Sequence, residues 1–435
     1  MNEALANHTE SKKVLILSYY WPPSGGPGVQ RMLKLVKYLP TQGWEPIVLT
    51  VAEGSYPAID TSLLKEVPED CQVYATKSIE FFSLFKVLTG RKKDAPIEPF
   101  LMGQKRQSLA EKLAFWVRQN MLIPDARIGW IPFAVEEGKK IIEREKPALI
   151  LSSGPPSSIH LSAKRLARLS GLPWVADFRD PWSKANYIIE QPRSRWASRL
   201  DYRLEQSVIR KADAVTVISK GVGELLEAQN KAVLIPNGFD GAEFAPLQKQ
   251  RHEKFCITFT GHIYSFSNPN AFFKALAVLR NDYGHLLEIR LVGKLDQQVN
   301  EAIAEEGVND MITRIAYVPH DQAIQEMVNA DMLLLPLPKV NTKGVLSGKV
   351  FDYLGTGNYI LTIGDTESEA AELIRNCNAG EVFDHDADVA PAIIQQIEKW
   401  KAGERHQPNE EVVARYDRRQ IARQFAALFN QLAKK

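Results

Sequence analysis

Four short stretches of the chain hold residues whose types and spacing suit the chemistry of phosphates and sugars. In Ser347-Gly348-Lys349-Val350-Phe351-Asp352 the pattern reads as the start of a helix. The helix dipole disfavours a cation in a first turn, so Lys349 makes more sense beside an anion, such as a diphosphate held on the same N-terminus. Asp352, one turn on, is placed to accept bonds from ribose hydroxyls. An exposed lysine in an i,i+3 ion pair is the plainer alternative. In Ser24-Gly25-Gly26-Pro27-Gly28 the glycines let a backbone approach a donor or acceptor closely, although a plain turn has the same letters. In Ser152-Ser153-Gly154-Pro155-Pro156-Ser157-Ser158 the hydroxyls of Ser153 and Ser157 either bind sugar or cap the helix that follows. In Asp177-Phe178-Arg179-Asp180-Pro181-Trp182 the charges either pair with one another or face a ligand. In the second case Asp177 or Asp180 orients a hydroxyl and Arg179 meets a phosphate or a developing charge. Trp182 offers a flat face to a sugar ring, or packs in the core.

Other chemistries find less support. Arg31 stands where a dinucleotide fingerprint needs its third glycine, and no Gly-Lys-Ser/Thr of a P-loop follows the glycines. There is no HxxxH, HExxH or Gly-x-Ser-x-Gly, which disfavours zinc chemistry and serine hydrolysis. Asp384-His385-Asp386 resembles a metal-binding Asp-x-Asp but lies in a late polar stretch, so no metal is expected. The net charge of +2 over 435 residues gives no global case for nucleic acid. Cys71, Cys256 and Cys377 are scattered, which fits a reducing compartment. No secretory signal and no apolar run of about 18 residues is visible, so a cytoplasmic enzyme is expected.

These residues need elements to position them. Val14–Leu17, Ile47–Leu49, Ala148–Leu151, Trp174–Ala176 and Ala214–Ile218 are short apolar runs, the mark of strands buried on both faces. Helical patterns such as 31–39 lie between them. A Pro/Gly-rich stretch follows, and alternation restarts with Ile257–Phe259, Leu287–Val292, Ile315–Tyr317, Met332–Leu335 and Tyr359–Leu361. A last helix spans Arg418 to Leu432. The reading is an α/β fold with two Rossmann-like domains facing across a central cleft, the ligand at the C-terminal ends of the strands. The expected domains are 1–236 (with an insertion at about 81–130), a linker at 237–254, a second domain at 255–415, and a helix at 416–435. The insertion mixes Phe81, Phe82, Phe85, Phe115 and Trp116 with Arg91, Lys92, Lys93, Lys105, Arg106, Lys112 and Arg118. That mixture suits the surface of an anionic membrane, or a core with a solvated charged face.

Together, the run Tyr19 to Arg31, the stretches 152–158 and 177–182, Ile235-Pro236-Asn237-Gly238-Phe239-Asp240 and 346–354 resemble glycosyltransferase family 4, retaining enzymes of the GT-B fold. The resemblance implies an acceptor-binding N-terminal domain, a nucleotide-sugar-binding C-terminal domain, and a last helix that crosses back to the first. It places Gly25, Gly26, Gly261, His262, Ser347, Gly348, Lys349 and Asp352 at the donor, with Asp352 on its ribose. It implies a UDP- or GDP-type sugar donor with no other cofactor, and a reaction on the donor's front face in which the leaving phosphate helps take the acceptor proton. Three departures stand out. Gly344 replaces the first of two paired acidic residues, the usual Arg and Lys are absent from 260–266, and Arg179 stands where a histidine is common.

The expected activity is metal-independent, retaining transfer of a hexosyl or N-acetylhexosaminyl group to a glycan or lipid-linked acceptor in bacterial surface-polysaccharide synthesis, with peripheral contact at the inner face of the cell membrane. A sugar-nucleotide 2-epimerase using Asp177, Asp180 and His262, and a non-catalytic sugar- or nucleotide-binding protein, are the alternatives.

Overall fold

The computed structural model describes residues 12–54, 56, 59–79, 109–189, 191–228, 230–250, 252–339, 343–344 and 346–434. The expectations on Phe81, Phe82, Phe85, Arg91, Lys92, Lys93, Lys105 and Arg106 therefore lie outside the described residues. The chain divides into two compact units, residues 1–236 with 421–435, and residues 237–420.

The first unit holds strands β1 (Lys12–Leu17), β2 (Trp44–Val51), β3 (Gln72–Thr76), β4 (Leu149–Gly154), β5 (Trp174–Phe178), β6 (Ala214–Val217) and β7 (Ala232–Leu234). All pair in parallel in the order β3-β2-β1-β4-β5-β6-β7. Val14, Leu15, Ile16 and Leu17 have no exposed surface, as a strand covered on both faces requires. One face packs on Ala134, Ile141, Ile159 and Leu166, and the other on Met32, Leu33 and Val36. The last helix, Arg418–Leu432, adds Ile421, Ala422, Phe425 and Phe429 to that second core. Phe429 meets Trp44 edge to face at 5.2 Å.

The second unit holds β8 (Phe255–Ile263), β9 (Leu287–Leu295), β10 (Ile312–Ile315), β11 (Met332–Pro336), β12 (Tyr359–Ile363) and β13 (Gly380–Phe383). These also pair in parallel, in the order β10-β9-β8-β11-β12-β13. Its cores gather Phe259, Phe272, Ile289 and Leu334 on one side and Leu333, Val350, Phe351 and Leu354 on the other. The α/β fold class is as expected from the sequence. One strand is displaced: β10 begins at Ile312, which is buried against Ile289, while Tyr317 is 79% exposed in the loop beyond.

Each sheet has one place where the strand order reverses: between β1 and β4 in the first unit, and between β8 and β11 in the second. The loops after those strands leave toward opposite faces, so a crevice opens at their C-terminal ends. The Gly25–Gly26 loop follows β1, the Ser152–Ser158 stretch ends β4, Gly261–His262 end β8, and the helix Gly348–Thr356 follows β11.

Candidate functional site

At the first crevice the charges are consumed by the fold. Asp177, at the end of β5, has no exposed surface. It accepts from Arg31 Nε at 3.0 Å and Nη2 at 2.8 Å, from Ser153 Oγ at 2.7 Å and from Thr216 Oγ1 at 2.7 Å. Burial disfavours its ionised form, but Arg31 and the hydroxyls outweigh that and hold its carboxyl below the usual range. Arg31, the residue that spoils the dinucleotide pattern, also donates to the carbonyls of Ile235 and Pro236 at 2.9 and 2.7 Å. Arg179 donates to the carbonyls of Gly154 at 2.9 Å, Pro155 at 2.7 Å and Gly28. It thus ties the end of β4 to the first turn of the helix Pro27–Tyr38.

Four sequence expectations are corrected here. Asp177 and Arg179 brace the crevice instead of facing a ligand. Ser153 spends its hydroxyl on Asp177. Trp182 is 3% exposed, bonds Asp201 through Nε1 at 2.7 Å and stacks with Phe178 at 6.2 Å, so it is core and no sugar platform. Asp180 is half-buried beside them and Ser157 is half-buried at the start of the helix Ser158–Ser170, where its side chain makes no capping bond. That helix is capped from elsewhere: Asp125 accepts from the Ser158 amide and hydroxyl, both at 2.8 Å. Gly25 is buried, and Gly26 is exposed with φ +101°, which favours glycine. His160 was not singled out in the sequence. It shares a 2.8 Å hydrogen bond between Nδ1 and Ser152 Oγ and lies on Phe178, and burial lowers its pKa to about 3, so it is neutral.

The second crevice is different. Lys349 lies in the first turn of the helix Gly348–Thr356, whose N-cap residue, Ser347, makes no side-chain capping bond. Its side chain lies across Gly261: a Cβ there would be 2.4 Å from Lys349 Cε and 3.0 Å from Nζ. A side chain there would push the flexible end of Lys349 aside, and φ +111° at Gly261 independently favours glycine. The ammonium is 5.6 Å from the Phe259 ring centre. Burial lowers the Lys349 pKa, with Asp352 opposing weakly. Asp352, half-buried on the same helix, has its pKa raised to about 6, first by burial, although His320 and Arg418 pull the other way. Tyr353 ties this helix to the sheet, its hydroxyl accepting from the Thr260 amide at 3.2 Å and lying 3.3 Å from the Leu334 carbonyl. Neither Lys349 nor Asp352 makes a hydrogen bond or ion pair with the described residues. An uncapped helix start, a desolvated ammonium and a carboxyl with free acceptor atoms offer the chemistry to hold an anion beside hydroxyl groups.

His262, beyond Gly261, shares a 2.8 Å contact between Nε2 and Asp296 Oδ1, and its ring lies 3.9 Å from that of Tyr264. Asp296 Oδ2 accepts from the Ser265 amide at 2.9 Å. Burial pushes the Asp296 carboxyl up, but that amide and His262 outweigh it and leave it low. Asp296 and Tyr264 escaped the sequence reading because their signal is spatial: β9 runs beside β8 in a register that pairs His262 with Lys294 and Gly261 with Gly293. Gly293 was legible only as a lone glycine after an apolar run. A Cβ on it would fall 2.0 Å from the Gly261 carbonyl.

A further cavity of about 410 Å³ is lined by Phe255, Asp331, Tyr359, Trp400 and His406. It opens at the N-terminal ends of β8, β11 and β12, away from these residues.

Residues 25–238 match the model of the glycosyl transferase 4-like domain. No curated protein matches the chain in sequence. Among solved structures, a glycosyltransferase from Rickettsia africae superposes with a TM-score of 0.62 at 14% identity, covering 98% of this chain and 99% of its own. Sucrose-phosphate synthase from Thermosynechococcus elongatus gives 0.61 at 14% identity, covering 97% of this chain and 99% of its own. Anabaena HepE in complex with UDP and glucose gives 0.61 at 14% identity, covering 97% of this chain and 100% of its own. The resemblance read from the sequence therefore holds: residues 25–238 belong to the glycosyl transferase 4-like domain family, in a chain of GT-B fold.

Proposed function

We propose that the protein transfers a hexosyl or N-acetylhexosaminyl group from a UDP- or GDP-type sugar to a glycan or lipid-linked acceptor in bacterial surface-polysaccharide synthesis, at the inner face of the cell membrane. The observation that carries this reading is Lys349 laid over Gly261 at the strand-order reversal of the second unit, in the first turn of a helix and without an ionic partner among the described residues. The diphosphate sits on that helix start, where Lys349 and the amide groups neutralise it. Asp352 accepts from the ribose hydroxyls. His262, oriented by Asp296, adds a second donor to the leaving phosphate. A lysine and a helix terminus supply the charge a metal ion supplies elsewhere, which supports metal independence. The HepE complex holds UDP and glucose within the same fold, which supports a uridine donor.

In keeping with the resemblance to retaining enzymes, the sugar is transferred with its configuration kept: the bond from the anomeric carbon to the leaving phosphate breaks as the acceptor oxygen attacks the same face, and the leaving phosphate oxygen takes the acceptor proton. The first unit supplies the acceptor site around Ser157 and Asp180.

The test is incubation with UDP-glucose, UDP-N-acetylglucosamine and GDP-mannose, each with and without a membrane lipid extract and with and without EDTA. Release of the nucleoside diphosphate that needs the extract, resists EDTA and yields a product of unchanged anomeric configuration is the expected result. Epimerised nucleotide-sugar formed without extract would establish the epimerase reading instead.

A further inference from the structure

The first unit carries a surface built the wrong way round for water. In the helix Leu109–Asn120 the polar Gln119 and Asn120 are buried, while Leu113 is 63% exposed, Trp116 52% and Val117 38%. Met121, just beyond, is 58% exposed. Leu113, Trp116 and Val117 lie three and four apart, so they form one stripe. The end of this helix is bolted to the start of a second, Arg195–Lys211. Gln119 O accepts from Arg193 Nε at 2.9 Å, and Asn120 Oδ1 accepts from the Ser194 amide at 2.7 Å. The apolar stripe is thereby joined to Trp196, 58% exposed in the first turn of the second helix.

The second helix is sharply two-sided. Its acids, Asp201 and Glu205, are buried beneath it and serve the interior: Asp201 accepts from Trp182 and Arg193, and Glu205 from the Ser183 amide. Its outer face shows Arg195, Trp196, Arg199, Tyr202, Arg203 and Arg210, with no acid of its own. The nearby Glu227 is held by Lys184 at 2.6 Å and by Tyr202 at 2.8 Å. A row of arginines beside two tryptophans and three aliphatic or thioether side chains is the arrangement of an interfacial membrane contact: cations meet anionic headgroups, tryptophans sit at headgroup depth, and aliphatic groups enter the acyl region.

We propose that this face, Leu113, Trp116, Val117 and Met121 with Trp196 and the arginines at 195, 199 and 203, docks the protein on an anionic lipid bilayer. The aliphatic members distinguish the partner from nucleic acid, which is gripped by stacking on aromatic faces and by phosphate contacts. No helix of the described residues is long and apolar enough to cross a membrane, so the contact is peripheral. The proposal deepens the lipid-linked acceptor of the proposed function, but vesicle binding is read without donor or acceptor, so the two stand or fall separately.

The test is co-sedimentation of the full chain with vesicles of phosphatidylcholine alone or with about one-third phosphatidylglycerol, a fraction chosen to give the negative surface that attracts basic segments. Two variants are compared with the parent: Arg195→Gln/Arg199→Gln/Arg203→Gln and Leu113→Ser/Trp116→Ser. All five positions are exposed, and thermal melting confirms that each variant folds. The expected result is binding to the anionic vesicles only, roughly tenfold or more weaker in the arginine variant and also weakened in the serine variant at unchanged charge. Equal binding by parent and both variants, or no binding by the parent, overturns the proposal. So does a parent that is dimeric without vesicles and made monomeric by the serine variant, because the stripe then covers a second copy.

Discussion

The two crevices share a topology and differ in what their charges do. In the first unit Arg31, Asp177 and Arg179 are buried, and they bond to the protein itself, to a carboxylate, hydroxyls or backbone carbonyls. In the second unit Lys349 and Asp352 sit in the corresponding place, partly desolvated and without a hydrogen bond or ion pair to the described residues. Fully paired buried charges fix a structure, and removing one partner leaves the other stranded. Desolvated charges without a partner cost the free protein stability, and are accounted for when a ligand pairs with them. The same kinds of residue at the same kind of strand reversal thus build a scaffold in one half and, in the proposed reading, a ligand site in the other.

Breaking the scaffold should give the largest effect. Asp177→Ala leaves Arg31 buried beside an empty partner and should cost about 3–5 kcal/mol in denaturant unfolding. Because the folded Asp177 pKa lies below its unfolded value, its contribution is present above the usual carboxylate range and is lost as pH falls through the folded pKa. Nucleotide affinity per folded molecule should stay the same. If instead turnover collapsed in Asp177→Asn at unchanged stability, Asp177 would belong to the reaction.

Phe425→Ala, in the helix that closes the first unit, should cost about 3–5 kcal/mol as well, again without a specific loss of nucleotide binding, as calorimetry on the folded fraction would show. Lys349→Ala should act the other way. Charge-assisted bonds of about 1.5–3 kcal/mol predict a loss of nucleoside diphosphate affinity of roughly 10- to 150-fold, with the melting temperature unchanged or slightly raised. Gly261→Ala should fall between the classes: the new Cβ meets Lys349 at a backbone φ of +111°, so both affinity and stability drop, each by about 1 kcal/mol or more.

The smallest effect is a pH dependence. Asp352 holds its proton up to about 6 in the folded protein, above its unfolded value, so the free protein should lose a little stability as pH rises from the usual carboxylate range through about 6. Ribose hydroxyls need the ionised form as acceptor, so nucleotide affinity should rise over that same interval. Asp352→Asn should flatten the rise. A parent protein whose affinity is flat between pH 5 and 7, values that bracket the folded Asp352 pKa of about 6, would remove Asp352 from the donor.

What the sequence made legible follows from burial. Most of the central strands, β1, β2, β4, β5, β6, β8, β11 and β12, are covered on both faces and so read as apolar runs. The edges did not read this way. β3 (QVYAT), β7 (AVL) and β13 (GEVF) are short or mixed in polarity, and β10 was placed too late because Tyr317 looks like a strand residue and is exposed. Of the residues proposed for the donor, Lys349 stands out because a cation is awkward at a helix start, with Asp352 one turn on, whereas Gly261 is named only through the family resemblance. The scaffold charges of 177–182 are equally awkward. Their partners, Arg31 at a separation of 146 residues and the carbonyls of Gly28 and Gly154, come from folding, and no local pattern separates a paired charge from an open one. Asp296 and His160 were hidden for the same reason.

The most direct test is a calorimetric titration of UDP and GDP into three proteins under one set of folding conditions: the parent, Lys349→Ala, and Arg179→Lys as the matched change in the first unit. The account predicts that one of the two nucleotides binds the parent, that Lys349→Ala loses most of that affinity, and that Arg179→Lys keeps it while melting at lower temperature. Full affinity in Lys349→Ala, or a loss confined to Arg179→Lys, would contradict the division of roles between the two crevices.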